Sequence, residues 1–294
     1  MKKVTELLKM GNIDSKLHSN LYTLREVILK RNSMERLKNF SFIFLFFISN
    51  FLNAQRIISF APNITETLFF LSYDRYLVGR TSFCNYPKNT EKIEIAGSFI
   101  DIDYEKVVSL KPDIVFFSGN LTDKSEKFLK EKNIKYYDIK MEKIDDITKG
   151  IDSIIKIVGK DYDTSKVEKI RNKILGIKKL GKDQKVLIEV SEKPFIIATS
   201  SSYIGSILKL FGFKIFEDEK PYINFSYENI LSFKPDIVIF MHSFKNGKDK
   251  YSILKNFDKI KFVFLDDEKI DIFSRSGPRV IDAIDIIERD FCER

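Results

Sequence analysis

Two segments of this chain are near copies of each other. YEKVVSLKPDIVFF fills residues 104–117 and YENILSFKPDIVIF fills residues 227–240, 123 positions later, with nine of fourteen residues identical. Each copy begins with a short helical pattern carrying apolar residues on one face. Pro112 or Pro235 stops it, because proline cannot continue a helix. A continuous apolar run follows, IVFF or IVIF, which is the pattern of a strand buried on both faces. A helix feeding a buried parallel strand requires neighbouring strands and covering helices, so a chain that carries this unit twice is expected to build two sheets.

The surrounding sequence supplies them. Strands are expected at 56–60, 77–80, 114–117 and 135–137, with helices near 66–71, 104–110 and 123–132. The second half repeats the alternation, with strands at 186–190, 213–216, 237–240 and 262–265 and helices near 203–211, 228–233 and 252–257. Between the halves run two helical stretches, 144–158 and 164–180, split at Gly159-Lys160. Val167, Ile170, Ile174, Leu175 and Ile177 recur at helical spacing in the second, which starts at a Thr164 or Ser165 cap and ends at Gly181. The expected fold class is α/β: two Rossmann-like lobes with mostly parallel sheets, residues 55–160 and 182–294, joined by a long helix at 161–181. A length of 294 residues suits two such lobes.

Residues 34–54, MERLKNFSFIFLFFISNFLNA, have the grammar of a signal peptide: basic Arg36 and Lys38, an apolar block from Phe40 to Leu52, then small Ala54. Thirteen residues that include Ser41, Ser49 and Asn50 fall short of the ~20 apolar residues of a spanning helix. Cleavage is expected near Ala54 or Gln55, with Met34 as the start and 1–33 an extension of uncertain role. No cysteine stands beside the apolar block to accept a lipid, so a periplasmic form is expected.

The formal charge of +8 sits mostly at the front. Residues 1–54 carry nine Lys/Arg against four Asp/Glu, which leaves 41 against 38 for the remainder. That near balance, with no basic run interleaved with aromatics, argues against nucleic acid as a partner. Cys84 and Cys292 are the two cysteines; a bridge between them and two separate thiols both remain open.

In order and spacing, five landmarks over nearly all of 55–294 resemble the cobalamin- and ferric-siderophore-binding proteins of ABC importers, the class III periplasmic binding proteins whose lobes share a backbone helix. They are RIISFAPNITETLFFL, VGRTSFCNYP, AGSFIDIDYEKVVSLKPDIV, the second KPDIV and SRSGPRVIDAIDIIE. The resemblance implies a ligand held between the lobes at the loops following the strands, which is also where open parallel sheets place their sites. Aromatic residues occupy such loops here: Phe83, Tyr86, Phe99, Phe195 and Phe273, with Arg275 beside the last. Positions matching Phe83, Phe99 and Phe195 contact the corrin in cobalamin binders, and Ser118 falls where those proteins carry tryptophan. Aromatic faces suit a broad, largely apolar macrocycle. His242 follows the second repeat's strand, as a structural residue or a ligand to metal or haem. Tyr203, after the hydroxyl run Thr199–Ser202, begins a helix and could meet an anionic or amide-rich group. The resemblance further implies that Glu105 and Glu228, equivalent in the repeat, dock onto arginines of a permease dimer in the inner membrane.

Cobalamin or another corrinoid is the favoured cargo, with ferric siderophore and haem as alternatives; no cofactor of its own and a monomer are expected. A tetrapyrrole chelatase is the rival from another class. Its chemistry needs acid, base or metal ligands converging in the cleft, whereas after the leader His242 is the one histidine, and neither a Gly-rich phosphate loop nor G-x-S-x-G occurs. A site for bare zinc or manganese wants several such ligands.

Overall fold

The computed structural model describes residues 55–242, 249–254 and 257–292. The signal-like segment and the 1–33 extension lie outside them. The first half forms five short strands, β1 (Ile57–Ser59), β2 (Leu77–Arg80), β3 (Glu94–Ile95), β4 (Ile114–Phe117) and β5 (Lys135–Asp138), all parallel, in the order β3-β2-β1-β4-β5. Helices α1 (Pro62–Phe70), α2 (Tyr104–Leu110) and α3 (Asp123–Glu131) make crossovers. α1 carries proline at its start, where a missing N–H costs nothing.

Two longer helices follow, α4 (Ile144–Val158) and α5 (Thr164–Leu175). In α4 the isoleucines at 144, 147, 151 and 154 and Val158 form one buried stripe, acids occupy the first turn, and Gly159 closes the helix at φ 61°. At 15 residues it reaches roughly 22 Å. It starts beside the second half, where Ile144 N donates to Ser206 Oγ at 3.1 Å. Just past its end, Tyr73 Oη of the first half donates to Lys160 O at 2.5 Å. α5 runs back, from Lys166, whose Nζ donates to Phe70 O, to Lys173, paired with Asp285 and Glu288. Two antiparallel helices therefore share the span that the sequence reading assigns to residues 161–181, and α5 ends before Gly176, not at Gly181.

The second half contains β6 (Lys185–Ser191), β7 (Ile196–Ala198), α6 (Tyr203–Leu210), β8 (Lys214–Ile215), β9 (Tyr222–Asn224), α7 (Tyr227–Phe233), β10 (Ile237–Phe240), β11 (Lys261–Phe264), α8 (Asp267–Ser274) and α9 (Val280–Ile286). Its sheet runs β11-β10-β6-β7-β9, with β8 also paired to β6. β7 is antiparallel to both its neighbours, so this sheet is mixed where the first is parallel throughout. The helix expected near 252–257 is replaced by short 3₁₀ turns at Asp249–Ile253 and Phe257–Lys259.

The KPD element of the repeat has one job in both halves. Lys111 and Lys234 end α2 and α7 in the left-handed region, at φ 45° and 53°. The aspartate after each proline then accepts a hydrogen bond from the backbone at the edge of the neighbouring strand: Arg56 N to Asp113 Oδ2 at 2.7 Å, and Lys185 N to Asp236 Oδ2 at 2.8 Å. The aspartate therefore sets where β4 meets β1 and where β10 meets β6. We expect Asp113→Ala and Asp236→Ala each to cost about 1 kcal/mol, the worth of one such partly exposed bond. Thermal unfolding should show each lowering Tm by about 2–4 °C.

Alternation along the strands divides the cores. Val115 and Phe117 of β4 face an outer cluster with Val107, while Leu187 and Val238 face a second outer cluster with Ile230. Ile114 and Phe116, and likewise Ile188 and Ile239, face inward into one cluster that continues through α4 and α5 from one sheet to the other. Residues 55–294 accordingly group as one unit. Lobes that share a core cannot separate widely without exposing it, so motion between them is held to small amplitude.

Candidate functional site

A cavity of about 410 Å³ opens where the strands of the first sheet end, and every one of those strands contributes to its wall. Pro62 and Asn63 follow β1, Phe83 follows β2, Phe99 and Ile100 follow β3, Ser118 follows β4 and Met141 follows β5. Ser274, Arg275 and Ser276, at the end of α8, close the other side. Loops at the C-terminal ends of parallel strands form the usual binding crevice of such sheets, and the volume falls in the range of small-molecule sites.

The aromatic and aliphatic members stand outward. Phe83 is 56% exposed, Phe99 38% and Ile100 84%. Their loop is braced from below: Gly97 adopts φ 141°, where a Cβ would come within 2.5 Å of Asp101 O. Ser98 Oγ accepts from Asp101 N at 3.0 Å, and Asn120 Nδ2 donates to Phe99 O at 2.7 Å. A braced loop that leaves an isoleucine in water is pre-organised to give that surface to a ligand. Ile100→Ser should weaken binding of the cleft ligand about tenfold in a calorimetric titration, since burying such a side chain is worth about 1.5 kcal/mol or more.

The floor is polar and crosses from one half to the other. Asn63 Nδ2 donates to Ser118 Oγ at 3.0 Å and to Ser276 O at 3.2 Å, and Ser276 Oγ donates to Met141 O. Beneath them the Glu66 side chain, 2% exposed, accepts from Arg279 Nε at 2.9 Å, from Arg279 Nη2 at 2.7 Å and from Arg275 Nη1 at 3.1 Å. Arg275 also binds Asn85 Oδ1 and Asp271 Oδ1, while Tyr86 lies over the Arg279 guanidinium at 4.3 Å. Two acids and two arginines cancel. Arg275 is the one charged side chain among the described residues of the cavity wall, and it is neutralised in place.

Of the residues singled out from the sequence, Phe83, Phe99, Ser118 and Arg275 come together in this wall. Tyr86 sits beside it, on Arg279. Phe273 is 1% exposed and faces the shared core, because the unforeseen helix α8 turns it inward; it has no surface to offer a ligand. Tyr203 is 4% exposed, and its hydroxyl lacks a hydrogen-bond partner among the described residues. Burial, and next the Glu66 charge, push the Tyr203 pKa upward, so the phenol stays neutral.

Phe195 and His242 lie off the cavity wall, around the fully buried carboxylate of Glu189. That group binds His242 Nε2 at 2.9 Å, Lys250 Nζ at 2.6 Å and Tyr251 Oη at 2.7 Å, and Lys250 sits 4.5 Å over the Phe195 ring. Cys84 and Cys292 are separate thiols, the first buried against Thr65 and Thr81. Sequence reasoning missed Glu66, Asn63, Ile100 and Met141 as site residues. Asn63, Glu66 and Ile100 lie within quoted landmarks, but nothing local marks which member faces the cleft; Met141 lies outside all of them.

Two α/β sheets, a shared helical span and a mostly apolar cleft with a charge-balanced floor have the architecture of a two-lobed binding protein. The chain belongs to the periplasmic binding protein family, whose sequence model matches residues 57–259. It is 26% identical over 245 residues to the uncharacterised ABC transporter substrate-binding lipoprotein YvrC of Bacillus subtilis, covering 79% of this chain and 78% of that one. To the vitamin B12-binding protein of Vibrio cholerae it is 25% identical over 247 residues, covering 79% and 87%. Its fold superposes on Staphylococcus aureus IsdE complexed with heme at a TM-score of 0.68, with 22% identity and coverage of 82% and 99%.

Proposed function

We propose that this chain is the exported solute-binding component of an ABC importer and that its cleft takes a metal chelate, by preference a corrinoid such as cobalamin, for delivery to an inner-membrane permease. The charge state of the cavity carries the preference. Phe83, Phe99 and Ile100 offer broad apolar surface, Asn63 and the serines offer neutral hydrogen bonds, and Arg275 is already matched by Glu66 and Asp271. A corrin, apolar across its faces and edged with neutral amides, matches such a surface. Haem brings two carboxylates, and many ferric siderophores carry net negative charge; either would need cations that the described wall does not hold free. YvrC and the Vibrio protein, named for ABC transport and vitamin B12 binding, support the same reading. Export rests on the signal-like residues 34–54; among the described residues no helix is long and apolar enough to cross a membrane.

Calorimetric titration with cyanocobalamin, haemin and a ferric siderophore tests this. Saturable one-to-one binding, tightest for cyanocobalamin, is expected. Tighter haemin or siderophore binding would overturn the corrinoid preference, and no binding of any of the three would overturn the chelate reading.

A further inference from the structure

The fold and the leader meet at one peptide bond. Residues 55–294 form a compact unit whose first member is Gln55. The signal-like segment ends at Ala54, the small residue that belongs on the leader's side of a cut. A pattern in the sequence and a boundary in the packing, each independent of the other, therefore put the new N-terminus on the same glutamine. The exported chain would begin QRIISF.

Glutamine is a reactive residue to expose in this way. Its side-chain amide carbon lies within ring-closing reach of its own α-nitrogen, and that nitrogen becomes an amine only when the leader is removed. An α-amine has a pKa of about 8, so a sizeable share of it is unprotonated and nucleophilic at neutral pH.

The structure leaves the reacting groups available. Gln55 is half-buried, and its Oε1 lies out of water with no hydrogen-bond partner among the described residues, so no donor fixes the amide oxygen in place. The next residue is held on both sides. Arg56 N donates to Asp113 Oδ2 at 2.7 Å, Arg56 Nε donates to Leu110 O at 2.9 Å, and Arg56 O accepts from Asp113 N at 2.8 Å. Gln55 is thus the one residue that a cut after Ala54 leaves ahead of the anchored chain. Ring closure uses the α-nitrogen and side chain of Gln55 itself. It takes no hydrogen bond from Arg56 and asks no adjustment of β1.

We propose that Gln55 is a modification site: once the leader is cut away, it cyclises to an N-terminal pyroglutamyl residue. This rests on the export reading above. The α-nitrogen attacks Cδ of the side-chain amide. The new N–Cδ bond forms as the Cδ–Nε2 bond breaks, and a proton from the attacking amine leaves with Nε2 as ammonia. Nothing is oxidised or reduced, and no co-reactant is consumed. The product carries no α-ammonium where β1 begins and offers no free amine to aminopeptidases.

The test reads the N-terminus of the protein recovered from the extracytoplasmic fraction of the cells that make it. The intact mass should be that of residues 55–294 less one ammonia. Stepwise degradation should release no residue until pyroglutamyl aminopeptidase removes the first, after which it should read RIISF. Gln55→Ser keeps Ala54 before the cut and cannot form the ring, so that variant should begin with an unblocked serine. A natural chain that starts at Gln55 with a free amine overturns the cyclisation and leaves export standing. A block on the serine variant as well, or a natural chain cut at another bond, also overturns it. A chain that keeps residues 34–54 in place overturns the cleaved-leader reading with it.

Discussion

Glu66→Ala should lower the stability of this protein by about 3–5 kcal/mol, the cost of leaving a buried ion-pair partner without its counter-charge. In a chain of this size that is a loss of about 10 °C or more in Tm. The reason lies under the cleft, where the Arg279 side chain is 8% exposed and spends two of its donors on Glu66. Without the carboxylate the guanidinium has the Tyr86 ring but no anion in contact among the described residues. Glu66 joins α1 of the first half to the 275–279 segment of the second, so its loss also loosens the floor on which the cavity stands. Two companions make the claim specific. Asp271→Ala should cost far less, because Arg275 keeps Glu66 and Asn85. Glu66→Met combined with Arg279→Met should recover most of the loss, since replacing both charges removes the unpaired one. Denaturant or thermal unfolding of the four proteins reads this directly.

Removal of the aromatic lip should have the largest effect on binding. Phe83→Ala with Phe99→Ala is expected to weaken the cleft ligand about 100-fold with little change in Tm. The two rings already expose 56% and 38% of their surface in the free protein. Folding therefore draws little on that surface, and the ligand draws on nearly all of it. At ~25 cal/mol per Å², covering roughly 150 Å² of ring surface is worth about 3–4 kcal/mol, or a factor of a few hundred at most. A calorimetric titration beside a melting curve separates the two quantities. A large fall in Tm would place the rings in the core.

The architecture was legible because its signals are local and repeated. KPDIV stops a helix and buries the strand that follows, and both can be read from the order of residues; that its aspartate also tethers a neighbouring strand, 57 or 51 positions away, shows only in the fold. What escaped was non-local or weakly patterned. β7 is three residues long and antiparallel, and only its pairing with β6 and β9 makes it a strand. α8 was missed although Asp266 caps it, and with it the inward turn of Phe273. The Glu66–Arg279 pair joins residues 213 positions apart, a separation across which the residues themselves carry no mark of partnership. The aromatic lip was found because loops that carry Phe among Ser, Gly and Asn are conspicuous; Ile100 beside it was not, since only the bracing of its loop keeps it in water.

Hydrogen exchange with and without bound ligand tests the binding crevice most directly. With saturating cyanocobalamin, or with haemin should that bind instead, protection should rise in the 98–101 loop of the first half and in the 274–276 segment of the second, while the outer clusters around Val107 and Ile230 stay unchanged. Protection confined to another surface, with those two segments exchanging as before, would contradict it.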